Sequence, residues 1–307
     1  MVLAYYTSDE HFSHLTADDH PEHAMRIMAI EQELKRSKFW DDLLHGKTTP
    51  ATPEDLLRAH SSGYIDELHL IQPDQGHIYV DEDTAMTPGS LHAALWSAGS
   101  CITALKGAMA GEFNHAFVAT RPPGHHAERG KAMGFCFFNN IAVTALRAAD
   151  KHHLQRIAVL DFDAHQGNGT IDILGNDQRF QLFSSFQHPF YPYKHYEQGR
   201  FSNLVNVPLE EGTGSASFRA AIETQWWPTL EAYAPELILV SAGFDGHKED
   251  PMAELNLTDE DYGWLGRHIA QIAAKRNTPV ISMLEGGYQL NALARSVREY
   301  LLGLKNP

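Results

Sequence analysis

The segment Asp161-Phe162-Asp163-Ala164-His165 carries the densest chemistry in the sequence. Residues two apart on an extended chain point to one side. Asp163 and His165 can therefore offer an oxygen and a nitrogen to one cation, with Asp161 one step deeper on the same face. An isolated pair of this kind also occurs as a strand-end Asp accepting from backbone amides beside an exposed His. A catalytic zinc takes three protein ligands and keeps a fourth position for water, so the pair needs a third. Asp245, flanked by Gly243 and Gly246 after an apolar run, is the best-placed carboxylate; helix capping is the other use of an Asp at such a point. One imidazole and two carboxylates around an open position suit Zn2+, and Fe2+, Co2+ or Mn2+ would also fit.

Two further clusters could serve such a site. In Arg121-Pro122-Pro123-Gly124-His125-His126 the histidines are adjacent, so their side chains should diverge and bind one metal together poorly. They suit proton transfer better, each ring needing an acceptor to fix its tautomer, and Asp161 and Asn168 are the candidates. A surface His pair is the plainer alternative. In Leu284-Glu285-Gly286-Gly287-Tyr288 two glycines let the chain turn sharply and swing the phenol round. There it can donate to an oxygen on which negative charge develops, or simply pack against the preceding helix. Together the clusters describe metal-assisted hydrolysis of a carbonyl compound.

Elements must hold these residues. Short β-branched runs at 116–119, 156–161, 237–241 and 280–284 lead directly into the polar clusters, and further strands are expected at 180–184 and 204–207. Helical spacing marks 23–36, 91–109, 139–150, 215–233, 258–275 and 290–302, and Thr52-Pro53-Glu54-Asp55 reads as a helix start. Strands without polar alternation, set between helices, specify an α/β fold: one domain over 1–307, a central mostly parallel sheet, helices on both faces. Ligands bind beyond the carboxyl ends of such strands, so loops far apart in sequence should converge on one crevice.

Composition limits the function classes. The chain has 307 residues, with 39 acidic and 24 basic side chains giving a formal charge of −15. That charge disfavours nucleic acid and attracts cations. No apolar run approaches the roughly 20 residues of a membrane span. The N-terminal residues lack the basic and apolar regions of a secretory signal, and Cys101 and Cys136 are the only cysteines, so a reducing cytoplasm is expected. The 19 histidines invite a search for a metal or proton-transfer site.

The pieces HPEHAMRIMAI, RPPGHHAERGKAMGFCFFNN, VLDFDAHQGNGT, SAGFDGHKEDP and LEGGYQLNALARSV, in this order over nearly the whole chain, resemble the histone deacetylase superfamily, specifically its class II-like bacterial amidohydrolases. The resemblance implies the arginase/deacetylase fold and hydrolysis of acyl-lysine. It implies one zinc per chain on Asp163, His165 and Asp245, with His125 and His126 as the tandem catalytic histidines and Tyr288 as the oxyanion tyrosine. Asp161 resembles the buried carboxylate that pairs with the first histidine and helps hold a monovalent cation, K+ in that family, with Ser184 as a further ligand. Asn168 stands behind the second histidine, where class II members have Asn. Gly134 and Phe135 look like one wall of the acyl-lysine tunnel, with Tyr191 opposite.

Arginases and agmatinases share this superfamily and hold two manganese ions. Gly167 and His247 stand where their additional carboxylate ligands would be, which disfavours a binuclear site. Polyamine-specific relatives carry a Glu at the position of Met252, so a lysine-type substrate is favoured over an acetylated polyamine. A non-catalytic acyl-lysine reader is the alternative of another class, against which both histidines and Tyr288 argue. Acyl-chain preference and any homo-oligomer are left open.

Overall fold

The computed structural model describes residues 2–17, 19–193 and 199–307. Its elements are β1 (Leu3–Tyr6), α1 (Met25–Arg36), β2 (Leu44–Gly46), α2 (Pro53–Ala59), α3 (Ser62–Ile71), β3 (Ile78–Tyr79), β4 (Ala85–Met86), α4 (Ser90–Met109), β5 (His115–Val118), α5 (Asn140–His152), β6 (Ile157–Asp161), α6 (Asn168–Leu174), β7 (Phe180–Gln187), β8 (Leu204–Leu209), α7 (Ser215–Gln225), α8 (Trp227–Tyr233), β9 (Leu237–Ala242), α9 (Asp259–Ala274), β10 (Val280–Leu284) and α10 (Leu290–Lys305). Among the described residues, eight strands form one sheet in the order β2-β1-β5-β10-β9-β6-β7-β8, and every pairing in it is parallel. β3 and β4 pair antiparallel outside it.

Alternate residues of the central strands enter opposite layers. Ile157, Val159, Leu237, Leu239, Ile281 and Met283 pack with α2 to α5. Ala158, Leu160, Ile238, Val240, Val280 and Leu284 pack with α1 and α7 to α10. With both faces covered, the strands need no polar side, which is why they read as unbroken apolar runs. Thr52 and Thr258 close capping boxes with Asp55 and Asp261, fixing where α2 and α9 begin. No helix among the described residues is long and apolar enough to cross a membrane.

Two differences from the sequence reading have local causes. The helix expected over 215–233 is two helices, because Pro228 at the start of α8 has no N–H to continue the first ladder. Short elements also escaped: β1 and β2 are four and three residues long, and α6 opens on Asn168-Gly169, both weak helix formers.

β5, β10, β9 and β6 are neighbours at the centre of the sheet. Their carboxyl ends therefore deliver the RPPGHH, EGGY, SAGFDGH and DFDAH segments to one edge.

Candidate active site

The end of β6 places Asp163 and His165, and the turn after β9 places Asp245. One ligand atom from each lies within 4.8 Å of the others, and all three residues are buried. His165 Nδ1 donates to Asp163 Oδ1 at 3.0 Å and to Asp245 Oδ2 at 2.9 Å, so its proton sits where the three atoms converge. Burial opposes a charge on this ring, yet the bonds to Asp163 and Asp245 outweigh it and carry its pKa up to about 10. Burial and the nearby Asp163 charge push Asp245 up to about 7. Burial would also raise Asp163, but the charges of His125 and His165 hold it well below the carboxylate range. The one nitrogen and two carboxylate oxygens that converge here could hold a divalent metal.

Backbone amides complete the ligands' surroundings. Gly286 N–H donates to Asp163 Oδ2 at 2.8 Å, and Ala164 N–H to Asp245 Oδ1 at 2.9 Å. Such close approach leaves no room for side chains: a Cβ on Gly243 would lie 2.0 Å from Asp163 Oδ2, and one on Gly286 2.3 Å from Asp245 Oδ2.

The histidines stand beside this group, each on the acceptor expected for it. His125 Nδ1 donates to Asp161 Oδ2 at 3.0 Å, and His126 Nδ1 to Asn168 Oδ1 at 2.7 Å. Their rings do not diverge as adjacent side chains were expected to; the centroids are 4.0 Å apart. A turn closed by Ala127 N–H on the Gly124 carbonyl at 3.1 Å carries both rings to one side. Burial works against a charge on His125, but Asp161, Asp163 and Glu285 outweigh it and hold the ring well above the histidine range. Burial and the positive charges of His125 and His165 push His126 well below it. The pair is thus split into a charged ring and a neutral one.

A cavity of about 170 Å³ opens over the site, lined by His126, Gly134, Phe135, His165, Phe190, Tyr191, Met252, Tyr288 and Asp83. The three expected wall residues, Gly134, Phe135 and Tyr191, all reach it, as does Met252, the position that bears on polyamine specificity. The Phe135 and Tyr288 rings meet edge-on at 6.1 Å, and the Tyr191 ring stands 5.2 Å from that of His126. Tyr288 is held by its own N–H on Asp250 Oδ2 at 2.6 Å and by the Arg26 guanidinium 5.0 Å over its ring. Gly134 is needed at its place: its φ is +57°, and a Cβ there would lie 2.4 Å from His126 Cδ2. Ser184 on β7 is paired in register with Asp161, and its hydroxyl is buried without a hydrogen-bond partner among the described residues. His247 points elsewhere, its Nε2 lying 3.1 Å from Asp259.

The model of the histone deacetylase domain matches residues 20–304. The chain belongs to the histone deacetylase family. A probable deacetylase of Archaeoglobus fulgidus is 33% identical over 94% of this chain and 82% of its own length. A histone deacetylase-like amidohydrolase of Pseudomonas aeruginosa is 38% identical over 78% of this chain and 64% of its own length. Among solved structures, the HDA15 HD domain superposes with a TM-score of 0.91 at 27% identity, covering 98% of this chain and 88% of that one.

In this member of the histone deacetylase family, several site residues were given no role in the sequence reading, though Glu285, Asp250, Arg26 and Glu128 lie within the quoted segments. Glu285 Oε2 accepts from the N–H groups of Gly124 and His125 at 2.8 and 3.2 Å, while its Oε1 accepts from Ser241 Oγ at 3.0 Å. Asp250, Phe190, Asp83 and Arg26 hold or line the site, and Glu128 backs Asn168. The acidic triplet Asp81-Glu82-Asp83 before β4 was the one available signal for Asp83.

Proposed function

We propose that the protein is a zinc-dependent amidohydrolase that removes acetyl or related acyl groups from the ε-amine of lysine in proteins or peptides. The observation that carries this reading is the meeting of the Asp163, His165 and Asp245 ligand atoms at a cavity that His165, His126 and Tyr288 line. Asp163, His165 and Asp245 would hold the divalent ion, which supplies Lewis acidity to an amide carbonyl and a water. His126 is the group to take the water's proton: its ring is neutral, and its Nδ1 proton is committed to Asn168, which leaves Nε2 a free lone pair. The imidazolium so formed can return that proton to the departing amine. His125, kept cationic by Asp161, acts through its charge. Tyr288, at the cavity wall, is the donor for the developing oxyanion. The unpartnered Ser184 hydroxyl beside Asp161 supports a monovalent cation, K+ in this reading, as a structural ion.

An acetylated polyamine is the second reading. A groove of about 310 Å³ adjoins the cavity, sharing Asp83 and Tyr191 with it, and among the described residues carries Asp81, Glu82 and Glu128 against one cation, Lys131. One experiment separates the readings: metal analysis of the purified chain, followed by turnover on zinc-loaded protein of acyl-lysine peptides and acetylpolyamines. The expected result is one tightly held divalent ion per chain and release of acetate from the peptides. Faster turnover of polyamines would select the second reading. Two tightly bound ions, or acyl-lysine binding without release of the acid, would overturn both.

A further inference from the structure

We propose that Glu128 is a positioning residue that sets the tautomer of His126 through Asn168; the inference rests on the reading of His126 as the general base. Asn168 Nδ2 donates to Glu128 Oε1 at 2.9 Å, while Asn168 Oδ1 accepts from His126 Nδ1 at 2.7 Å. Both contacts run one way only. An ionised carboxylate has no proton to give, so the amide nitrogen of Asn168 must face Glu128 and the amide oxygen must face His126. An amide oxygen has no proton either, so His126 must carry its own on Nδ1. The lone pair is then on Nε2, where a base needs it. With the amide turned over, Nδ2 would face Nδ1 and the proton would have to sit on Nε2, removing the base without moving a ring.

Glu128 is itself held in place. Its N–H donates to the Lys131 carbonyl at 2.9 Å, and its carbonyl accepts from His60 Nδ1 at 3.0 Å. His60 Nε2 accepts from Asn139 N–H at 2.9 Å, which confirms that the His60 proton is on Nδ1. Asn168 Nδ2 has two other acceptors, the His126 carbonyl at 3.4 Å and Met133 Sδ at 3.3 Å. Long contacts to a carbonyl and a thioether are weaker than one to a carboxylate, so Glu128 decides which way round the amide lies. It does so from the wall of the acidic groove, outside the catalytic cavity.

The test compares Glu128→Ala and Glu128→Gln with His126→Ala, all zinc-loaded, on one acetyl-lysine peptide, with ring-nitrogen NMR reporting the His126 tautomer. Glu128→Ala should lower kcat about tenfold, the low end for loss of an outer partner of a functional histidine, with KM and zinc content unchanged and the Nδ1–H tautomer lost or mixed. Glutamine can present an oxygen to Asn168 but also an NH2 to the turned-over amide, so Glu128→Gln should lose less turnover than Glu128→Ala and keep more of the Nδ1–H tautomer. Wild-type turnover in Glu128→Ala with His126→Ala inactive would overturn this inference and leave the general base standing. So would an unchanged tautomer in Glu128→Ala, or equal losses in the Ala and Gln variants. Full activity in His126→Ala would overturn the general base, and the inference with it.

Discussion

Replacing Glu22 by Gln tests the buried charge network that ties the site together. Glu22 and Arg26 are fully buried, and Arg121 is 1% exposed. Arg121 donates to Glu22 through Nε and Nη2, both at 2.7 Å, and Arg26 Nη1 adds a third bond at 3.2 Å. The same guanidiniums reach onward: Arg121 to the His11 and His14 carbonyls, Arg26 to the carbonyls of Glu285 and Gly287. Gln keeps the volume but offers one acceptor and turns an NH2 toward guanidinium donors. Neither arginine can shed its proton, so two charges stay buried without the carboxylate to which both donate. Breaking such a pair costs about 3 to 5 kcal/mol against a total stability of about 5 to 15. At roughly 2 °C per kcal/mol for a chain of this size, Tm should fall by about 6 to 10 °C.

The pH dependence of this contribution has a definite sign. Burial alone would raise the Glu22 pKa, but the charges and hydrogen bonds of Arg121 and Arg26 hold it well below the carboxylate range. A folded pKa below the unfolded value of about 4.3 means the contribution is whole above that pH and is lost as pH falls through the folded pKa. The gap between wild type and variant should therefore stay constant from about pH 8 to about pH 5 and close only in strong acid. Guanidinium unfolding and calorimetry at matched metal content measure it. A loss below about 1 kcal/mol, or a gap that closes near neutrality, would refute the reasoning.

The two histidines should fail unequally. His126→Ala should remove nearly all turnover and His125→Ala somewhat less, because the neutral ring moves the proton and the charged ring acts electrostatically; equal, small losses in steady-state kcat would count against that division. Tyr288→Phe should cost about 10² to 10³ in turnover with metal content intact, as for a lost oxyanion donor; wild-type kcat would remove the phenol from the mechanism.

What the sequence disclosed was set by what periodicity and spacing can carry. Central strands such as Ile157–Asp161 were legible because burial on both faces leaves an unbroken apolar run, and a run of that kind says where a parallel sheet ends. The motif residues followed, since DxH and EGGY mark strand ends by themselves. β1 was not legible, because four residues give no period to read. The split at Trp226 was signalled by Pro228, but the apolar spacing on either side hid it.

The residues whose roles escaped, although the quoted segments contain them, share a chemical character. Glu285, Asp250, Glu22 and Glu128 are carboxylates that accept from backbone N–H groups, guanidiniums or an amide. An acceptor's task is defined by the donor it faces, and that donor lies 161, 38, 99 and 40 residues away in the chain. Nothing local in the sequence separates such an acid from one on a solvated face. The same limit applies to the net charge: −15 gives the sign of the field but not its place. Folding gathers Asp81, Glu82, Asp83 and Glu128 into the groove beside the cavity. Lys131 pairs with Asp81 there at 3.1 Å, so the acids that remain, Glu82, Asp83 and Glu128, set the sign of the field at the groove's described residues.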